Sequence, residues 1–93
     1  MKLIVTAEFK KAVNGLAKDK QKAVLQAVEK MGSEVLVPSL KIRSFQNSDG
    51  LYLANVGRTG YRIVFAQPGD DVAELLDICP HDVTYRKWNR RRG

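Results

Sequence analysis

The sequence predicts an α+β fold: an N-terminal strand, then a two-helix hairpin packed on one face of a small antiparallel twisted sheet. Helical periodicity is confined to the first third of the chain, and alternating apolar strings separated by turn clusters fill the rest. With 93 residues, the chain can bury only about 60–65% of its unfolded surface, which suffices for one small core. Amphipathic helices and half-polar strands must therefore cover each other. The expectation is a single domain over residues 1–93, ending in a basic tail from about residue 86.

Leu3-Ile4-Val5 is short, apolar and β-branched, and reads as the first strand. Thr6 is placed to cap the helix that follows, with Glu8 in its first turn against the positive end of the helix dipole. Phe9, Ala12, Val13 and Leu16 recur at helical spacing and mark one face of a helix over residues 7–18. Asp19 is the expected cap of a second helix, residues 20–31, whose apolar stripe is Val24, Leu25, Val28 and Met31, with Gly32 as its stop. Leu36-Val37-Pro38 breaks the helical period. Leu40-Lys41-Ile42-Arg43 then alternates briefly, setting Lys41 and Arg43 on one face of a strand. After the turn cluster Asn47-Ser48-Asp49-Gly50, residues 51–56 and 61–67 read as strands joined by Gly57-Arg58-Thr59-Gly60, which has the composition of a hairpin loop. In the second of them Tyr61, Ile63 and Phe65 share the face that should meet the helices, while Arg62 and Val64 point to the other, open face. Pro68-Gly69-Asp70 turns the chain into a last strand, residues 72–79, stopped by Pro80. Residues 81–88 are too short and polar a segment to assign.

Composition narrows the class of partner. An apolar content of 44% against 28% charged residues is that of an ordinary globular chain. No apolar run approaches the roughly 18 residues of a membrane span. The first residues turn polar too soon for a secretory signal, and one cysteine, Cys79, allows neither an internal disulfide nor a zinc cluster. The expected location is a reducing cytoplasm, with no membrane partner. The formal charge of +6 points to a polyanion, most commonly nucleic acid. The charge is also polarised: in residues 70–93 all five acids precede all five bases.

Two strings carry a resemblance. Asp49-Gly50-Leu51-Tyr52 through Gly60-Tyr61-Arg62-Ile63-Val64-Phe65 is similar to the central hairpin of the RelE/ParE superfamily of toxins from bacterial toxin–antitoxin modules. Leu75-Leu76-Asp77-Ile78 followed by His81-Asp82-Val83-Thr84-Tyr85-Arg86 resembles that family's last core strand and its polar, tyrosine-bearing terminus. The order of elements matches over nearly the whole chain. The resemblance implies a microbial RNase-like fold, and, in the RelE-like branch, an mRNA endoribonuclease that works in the decoding site of the ribosome without a cofactor or metal. Its implied partners are mRNA, the ribosome with its 16S rRNA, and a cognate antitoxin that silences it in a hetero-oligomer. The ParE-like branch is a non-catalytic inhibitor of DNA gyrase, and a simple RNA-binding module is a further alternative.

Metal-independent RNA cleavage needs a group to take the 2′-OH proton, a group to protonate the leaving 5′ oxygen, and cations for the pentacoordinate phosphorus. The resemblance assigns Arg62 to the scissile phosphate, a role that suits a permanently charged fork. His81, the only histidine, is the general acid or base, since only imidazole titrates near neutrality unaided. Asp82 beside it is the candidate to orient the ring. Tyr85 falls where the family carries a catalytic or base-stacking tyrosine. Many RelE-like members carry lysines at the positions of Leu53 and Asn55. Here Lys41, Arg43 and Arg58 are the candidates to replace them, with Asn55 left to hydrogen-bond phosphate. Arg86, Lys87, Trp88, Arg90 and Arg91 interleave an aromatic ring with cations, the pattern of a stacking and phosphate-holding strip. Cys79 and His81 raise a rival thiol nucleophile, but Pro80 disturbs their geometry, and a cysteine ending an apolar strand is expected to be buried.

Overall fold

The computed structural model describes residues 1–33, 38–45 and 50–89, with only the backbone of Tyr85 and Asn89. In chain order the elements are β1 (Lys2–Val5), α1 (Ala7–Asn14), α2 (Lys18–Gly32), a 3₁₀ turn (Pro38–Leu40), β2 (Arg43–Ser44), β3 (Leu51–Asn55), β4 (Tyr61–Ala66), β5 (Val72–Pro80) and α3 (His81–Asn89). The five strands form one sheet in the order β1-β5-β4-β3-β2. The sheet is not purely antiparallel as the sequence suggested: β1 runs parallel to β5, with Lys2 opposite Val72 and Val5 opposite Leu75. Nearly the whole chain separates these two strands, which is the long crossover that parallel neighbours require. Backbone and side chain tie the ends of this ladder, through Lys2 N–H to the Asp71 carbonyl (2.8 Å) and the Thr6 hydroxyl to the Leu75 carbonyl (2.7 Å).

Thr6 does two jobs at once. Its Oγ1 also accepts from Phe9 N–H at 3.1 Å, capping α1 as expected. The helix ends at Gly15, earlier than the sequence period suggested, and the short link to α2 is held by Gln21, whose Nε2 donates to the carbonyls of Val13 and Leu16. Asp19 is not the cap of the second helix. That position is Ala17, with no side-chain bond, and Asp19 lies in the first turn, where its charge still opposes the dipole. The buried stripe is Val24, Ala27 and Met31, while Leu25 is 59% exposed. Both stripes obey the helical period; contact with the sheet selects the one shifted toward Ala27, a small residue that permits close approach.

The two helices and the 3₁₀ turn cover one face of the sheet, packing Phe9, Val24 and Met31 from the helices and Leu40 from the turn on Ala54, Val56, Ile63, Phe65, Leu75 and Ile78. Tyr61, Ile63 and Phe65 thus face the helices as the alternation demanded, and Tyr52 stacks on Phe65 from the next strand with centroids 5.6 Å apart. The β3–β4 loop has both glycines at positive φ, 51° at Gly57 and 83° at Gly60, a conformation that side-chain-bearing residues rarely adopt.

The opposite face is not left bare. The unassigned segment after Pro80 is the helix α3, which lies across it and closes a second apolar cluster of Phe45, Leu53, Val64, Cys79 and Trp88, flanked by Leu76 and Val83. A bulge makes this possible. The partner of β4 jumps from Asp77 opposite Val64 to Leu75 opposite Phe65, so Leu76 is an extra residue in β5. Ala73 and Leu75 before it and Ile78 after it face α1 and α2, whereas Leu76, Asp77 and Cys79 turn toward α3. Residues 46–49, which include most of the expected turn, and the Leu36-Val37 stretch lie outside the described residues.

Candidate functional site

The α3-facing side of the sheet divides into a covered part and an open end. In the covered part Asp77 is the hub. Its Oδ2 receives the Lys87 ammonium at 2.7 Å, Trp88 Nε1 at 3.0 Å and the Cys79 thiol at 3.0 Å, while Oδ1 accepts from Ile78 N–H at 2.9 Å. Burial by itself would raise the carboxyl pKa of Asp77, but the bonds from Lys87, Cys79, Trp88 and Ile78 outweigh it and hold the group below its ordinary range. Burial, reinforced by the Asp77 charge, pushes the Cys79 thiol up to about 12. Thr84 is fully buried in α3, its hydroxyl bonded to the carbonyl of Pro80 at 2.9 Å, one turn back. Three side chains of one short helix are therefore fixed to β5.

This settles the thiol. Cys79 is buried and protonated at neutral pH, the opposite of an activated nucleophile. It is expected to resist iodoacetamide at pH 8 in the native protein and to react promptly in denaturant; rapid native alkylation would contradict the buried position. The two shifts also set a pH window. Asp77 has a lowered pKa, so its contribution is complete above its ordinary value of 3.8 and is lost as acid protonates it. Cys79 has a raised pKa, so its contribution is complete below its ordinary 9.0 and is lost as pH climbs toward 12. Urea midpoints should form a plateau between these limits and fall on both sides.

The open end lies where β3, β4 and β5 meet the start of α3. Arg62 stands opposite Asn55 on one side and Cys79 on the other, sharing the α3-facing side with Val64 as the alternation predicted. Its Nη1 donates to the Tyr61 carbonyl at 3.3 Å, and its Nε is buried with no hydrogen-bond partner. An unmet donor of that kind costs about 1–3 kcal/mol and leaves the guanidinium with capacity for an incoming acceptor. Asp77, the buried carboxylate of this face, is saturated by its own four donors and makes no ion pair with Arg62 among the described residues. His81 begins α3 at the same end, exposed, with its backbone N–H bonded to the Gly60 carbonyl of the β3–β4 loop at 3.1 Å. Asp82 follows it in the first turn of the helix. Tyr85 stands one turn beyond His81; its side chain lies outside the described residues. Arg58 is exposed on the rim of the same loop.

Other expected binding residues are distributed differently. Lys41 and Arg43 do not share a strand face: Lys41 precedes β2 with φ 47°, and only Arg43 and Ser44 pair with β3. Arg43 instead reaches Asn55, its Nη1 3.2 Å from Asn55 Oδ1. Trp88 is only 8% exposed and donates to Asp77, so its indole is a structural wedge and not a stacking surface. Lys87 remains 54% exposed but is tied to Asp77. Arg86 is exposed; Arg90 and Arg91 lie outside the described residues. Leu53 is buried in the α3 cluster, which explains why that position carries no cation here. Sequence reasoning gave Asp77 no role of its own, naming it only within the last core strand and among the five acids; its sole signal was a charge in the middle of an apolar strand.

No family model matches the chain, and no curated protein matches its sequence. Solved structures do. The RelB–RelE antitoxin–toxin complex of Methanococcus jannaschii contains a chain 15% identical, with a TM-score of 0.69, the match covering 91% of this chain and 98% of that one. The archaeal RelE–RelB complex of Pyrococcus horikoshii OT3 contains one 23% identical, at 0.60, covering 85% and 92%. The Escherichia coli DinJ–YafQ toxin–antitoxin complex contains one 14% identical, at 0.60, covering 90% and 96%. At such identities the likeness is one of backbone, and it spans these chains almost end to end. The chain has the fold of the RelE-type toxins.

Proposed function

We infer that this protein is the toxin of a type II toxin–antitoxin module and that it inhibits translation by cutting mRNA on the ribosome. The single observation that carries this reading is Arg62, a guanidinium with a buried, partnerless Nε at the open end of the α3 face, the end of the sheet where the exposed histidine starts the helix. The fold it shares with chains from antitoxin–toxin complexes supports a cognate antitoxin as its protein partner.

In the proposed reaction the ribose 2′ oxygen attacks the adjacent phosphorus and the P–O5′ bond breaks, leaving a 2′,3′-cyclic phosphate and a free 5′-hydroxyl. Arg62 holds the non-bridging oxygens, whose negative charge grows in the transition state. His81 and Tyr85 divide the acid and base roles, with imidazole suited to either at neutral pH and a phenol, titrating near 10, suited to donating. Arg58, Arg86 and Lys41 steer backbone phosphates of mRNA or 16S rRNA, and Arg90 and Arg91 extend that basic strip. No cofactor enters the scheme.

Inducible expression in bacteria, with mapping of mRNA 5′ ends, tests the reading. The expected result is growth arrest with new 5′-hydroxyl ends inside reading frames at ribosomal A sites, reversed by co-expression of the antitoxin. Intact mRNA with DNA damage and filamentation would overturn it in favour of a gyrase inhibitor.

A further inference from the structure

We propose that Asn55 is a positioning residue that holds Arg43 beside Arg62, so that two guanidiniums on this face take neighbouring phosphates of one RNA strand; the proposal rests on the RNA-cleaving reading. Arg43, Asn55 and Arg62 belong to three adjacent strands. Arg43 is paired with Leu53 in the β2–β3 register and Asn55 with Arg62 in the β3–β4 register. Leu53 and Asn55 are two residues apart and share a side of the sheet. Left extended, Arg43 would lie over Leu53, at the covered part of the face. The hydrogen bond from its Nη1 to Asn55 Oδ1 draws the guanidinium along the strand to the level of Arg62.

The anchor is two-pointed. The same Nη1 donates to the Lys41 carbonyl at 2.6 Å. Lys41 has φ 47°, a left-handed conformation that costs a side-chain-bearing residue roughly 1–2 kcal/mol. Strain is thus located where the backbone fixes an arginine head. A guanidinium carries five N–H groups, and those on Nη2 and Nε of Arg43 have no partner among the described residues, nor does Arg62 Nε. No described carboxylate pairs with either arginine. Two like charges flanking one carboxamide repel each other, and an anion bridging them relieves the repulsion. β2 and β4 are two strand spacings apart, about 10 Å, and long side chains converging over β3 shorten that span toward consecutive phosphates of a single strand. In this arrangement Arg43 supplies from β2 the charge that neither Leu53 nor Asn55 brings to β3.

The test is binding of a 2′-O-methyl single strand, which lacks the attacking hydroxyl, followed by fluorescence anisotropy across a salt series with thermal melts as a fold control. Arg43→Ala should weaken binding about tenfold, the scale of one lost charge-assisted contact, and flatten the slope of log affinity against log salt by about 0.7. Asn55→Ala should weaken binding severalfold. Asn55→Asp decides the mechanism: it keeps an acceptor for Arg43 but adds a negative charge, so it should bind more weakly than Asn55→Ala. A purely structural asparagine predicts the reverse, with aspartate restoring wild-type behaviour, and that result overturns the proposal, as does an unchanged affinity and slope in Arg43→Ala. The two readings separate through Arg62→Met. If it alone loses binding and cleavage while Arg43→Ala is silent, only the second cradle fails; if Arg62→Met also binds and cleaves normally, the nuclease reading fails with it.

Discussion

Arg62→Met is expected to lower the single-turnover rate of mRNA cleavage on programmed ribosomes by roughly 100- to 1,000-fold, the usual loss when one preorganised donor to a developing oxyanion is removed. Growth arrest should disappear with it. The substitution keeps the aliphatic stem beside Asn55 and Cys79 and removes only the guanidinium. The fold loses only the long 3.3 Å bond from Nη1 to the carbonyl of the neighbouring Tyr61, and it sheds the buried, unmet Nε donor. Thermal stability should therefore stay level or rise while activity falls, the opposite of what a structural arginine would show. Arg62→Lys should recover part of the rate, since charge returns but the two-pronged contact does not. His81→Ala, on the exposed start of α3, should cost roughly 100- to 10,000-fold by removing a proton-transfer group, again with little effect on stability. Cleavage within threefold of wild type in Arg62→Met would remove the arginine from the reaction.

The helix-facing half of the fold was legible because each of its elements is long enough for its period to be read. Tyr61, Ile63 and Phe65 alternate cleanly, the Gly57–Gly60 loop needs the positive φ values that it adopts, and Thr6 caps α1 as its position suggested. The choice between Leu25 and Ala27 was not legible, since both fit a helical stripe and only the shape of the sheet decides between them. The α3 side was legible only in part, for a physical reason: its apolar content is split among Phe45 just after β2, the strands β3, β4 and β5, and a nine-residue helix. None of these pieces is amphipathic enough alone, and the Leu76 bulge breaks the period that would have exposed the pattern in β5. The candidate site followed the same division. Arg62 could be set on its face from strand alternation, whereas His81, in a segment too short to assign, was singled out as the only histidine and through the resemblance. The tie between Arg43 and Asn55 could not be read, because it joins residues twelve apart on two different strands, and the Trp88 indole is held inward by a carboxylate on another element, which its neighbours in sequence do not signal.

Trp88→Ala is expected to destabilise the protein by about 3–5 kcal/mol, the cost of emptying a buried aromatic site, against a total stability for a chain of this length of roughly 5–14 kcal/mol. The indole fills the space between Phe45, Leu53, Val64 and Cys79, and its removal also takes one of three donors from Asp77 Oδ2. At about 4–8 °C per kcal/mol for a domain this small, the midpoint should drop by at least about 12 °C. Trp88→Phe separates the two contributions: most of the packing survives and only the N–H is lost, so the drop should be near 1 kcal/mol. Asp77→Ala should fall between them, because it removes the one carboxylate that the Trp88 N–H, the Cys79 thiol, the Ile78 amide and the Lys87 ammonium share. Trp88 is the only tryptophan, so its fluorescence reports on α3 directly. In Asp77→Ala the emission should shift to the red at temperatures where circular dichroism still shows a folded sheet, as α3 lifts away before the rest of the molecule unfolds. His81 and Tyr85 belong to that helix, so the same variant should lose cleavage in step with the red shift. If the shift and the loss of far-UV signal coincide in every variant, α3 is an inseparable part of the core, and the placement of the proposed acid–base pair is as rigid as the sheet beneath it.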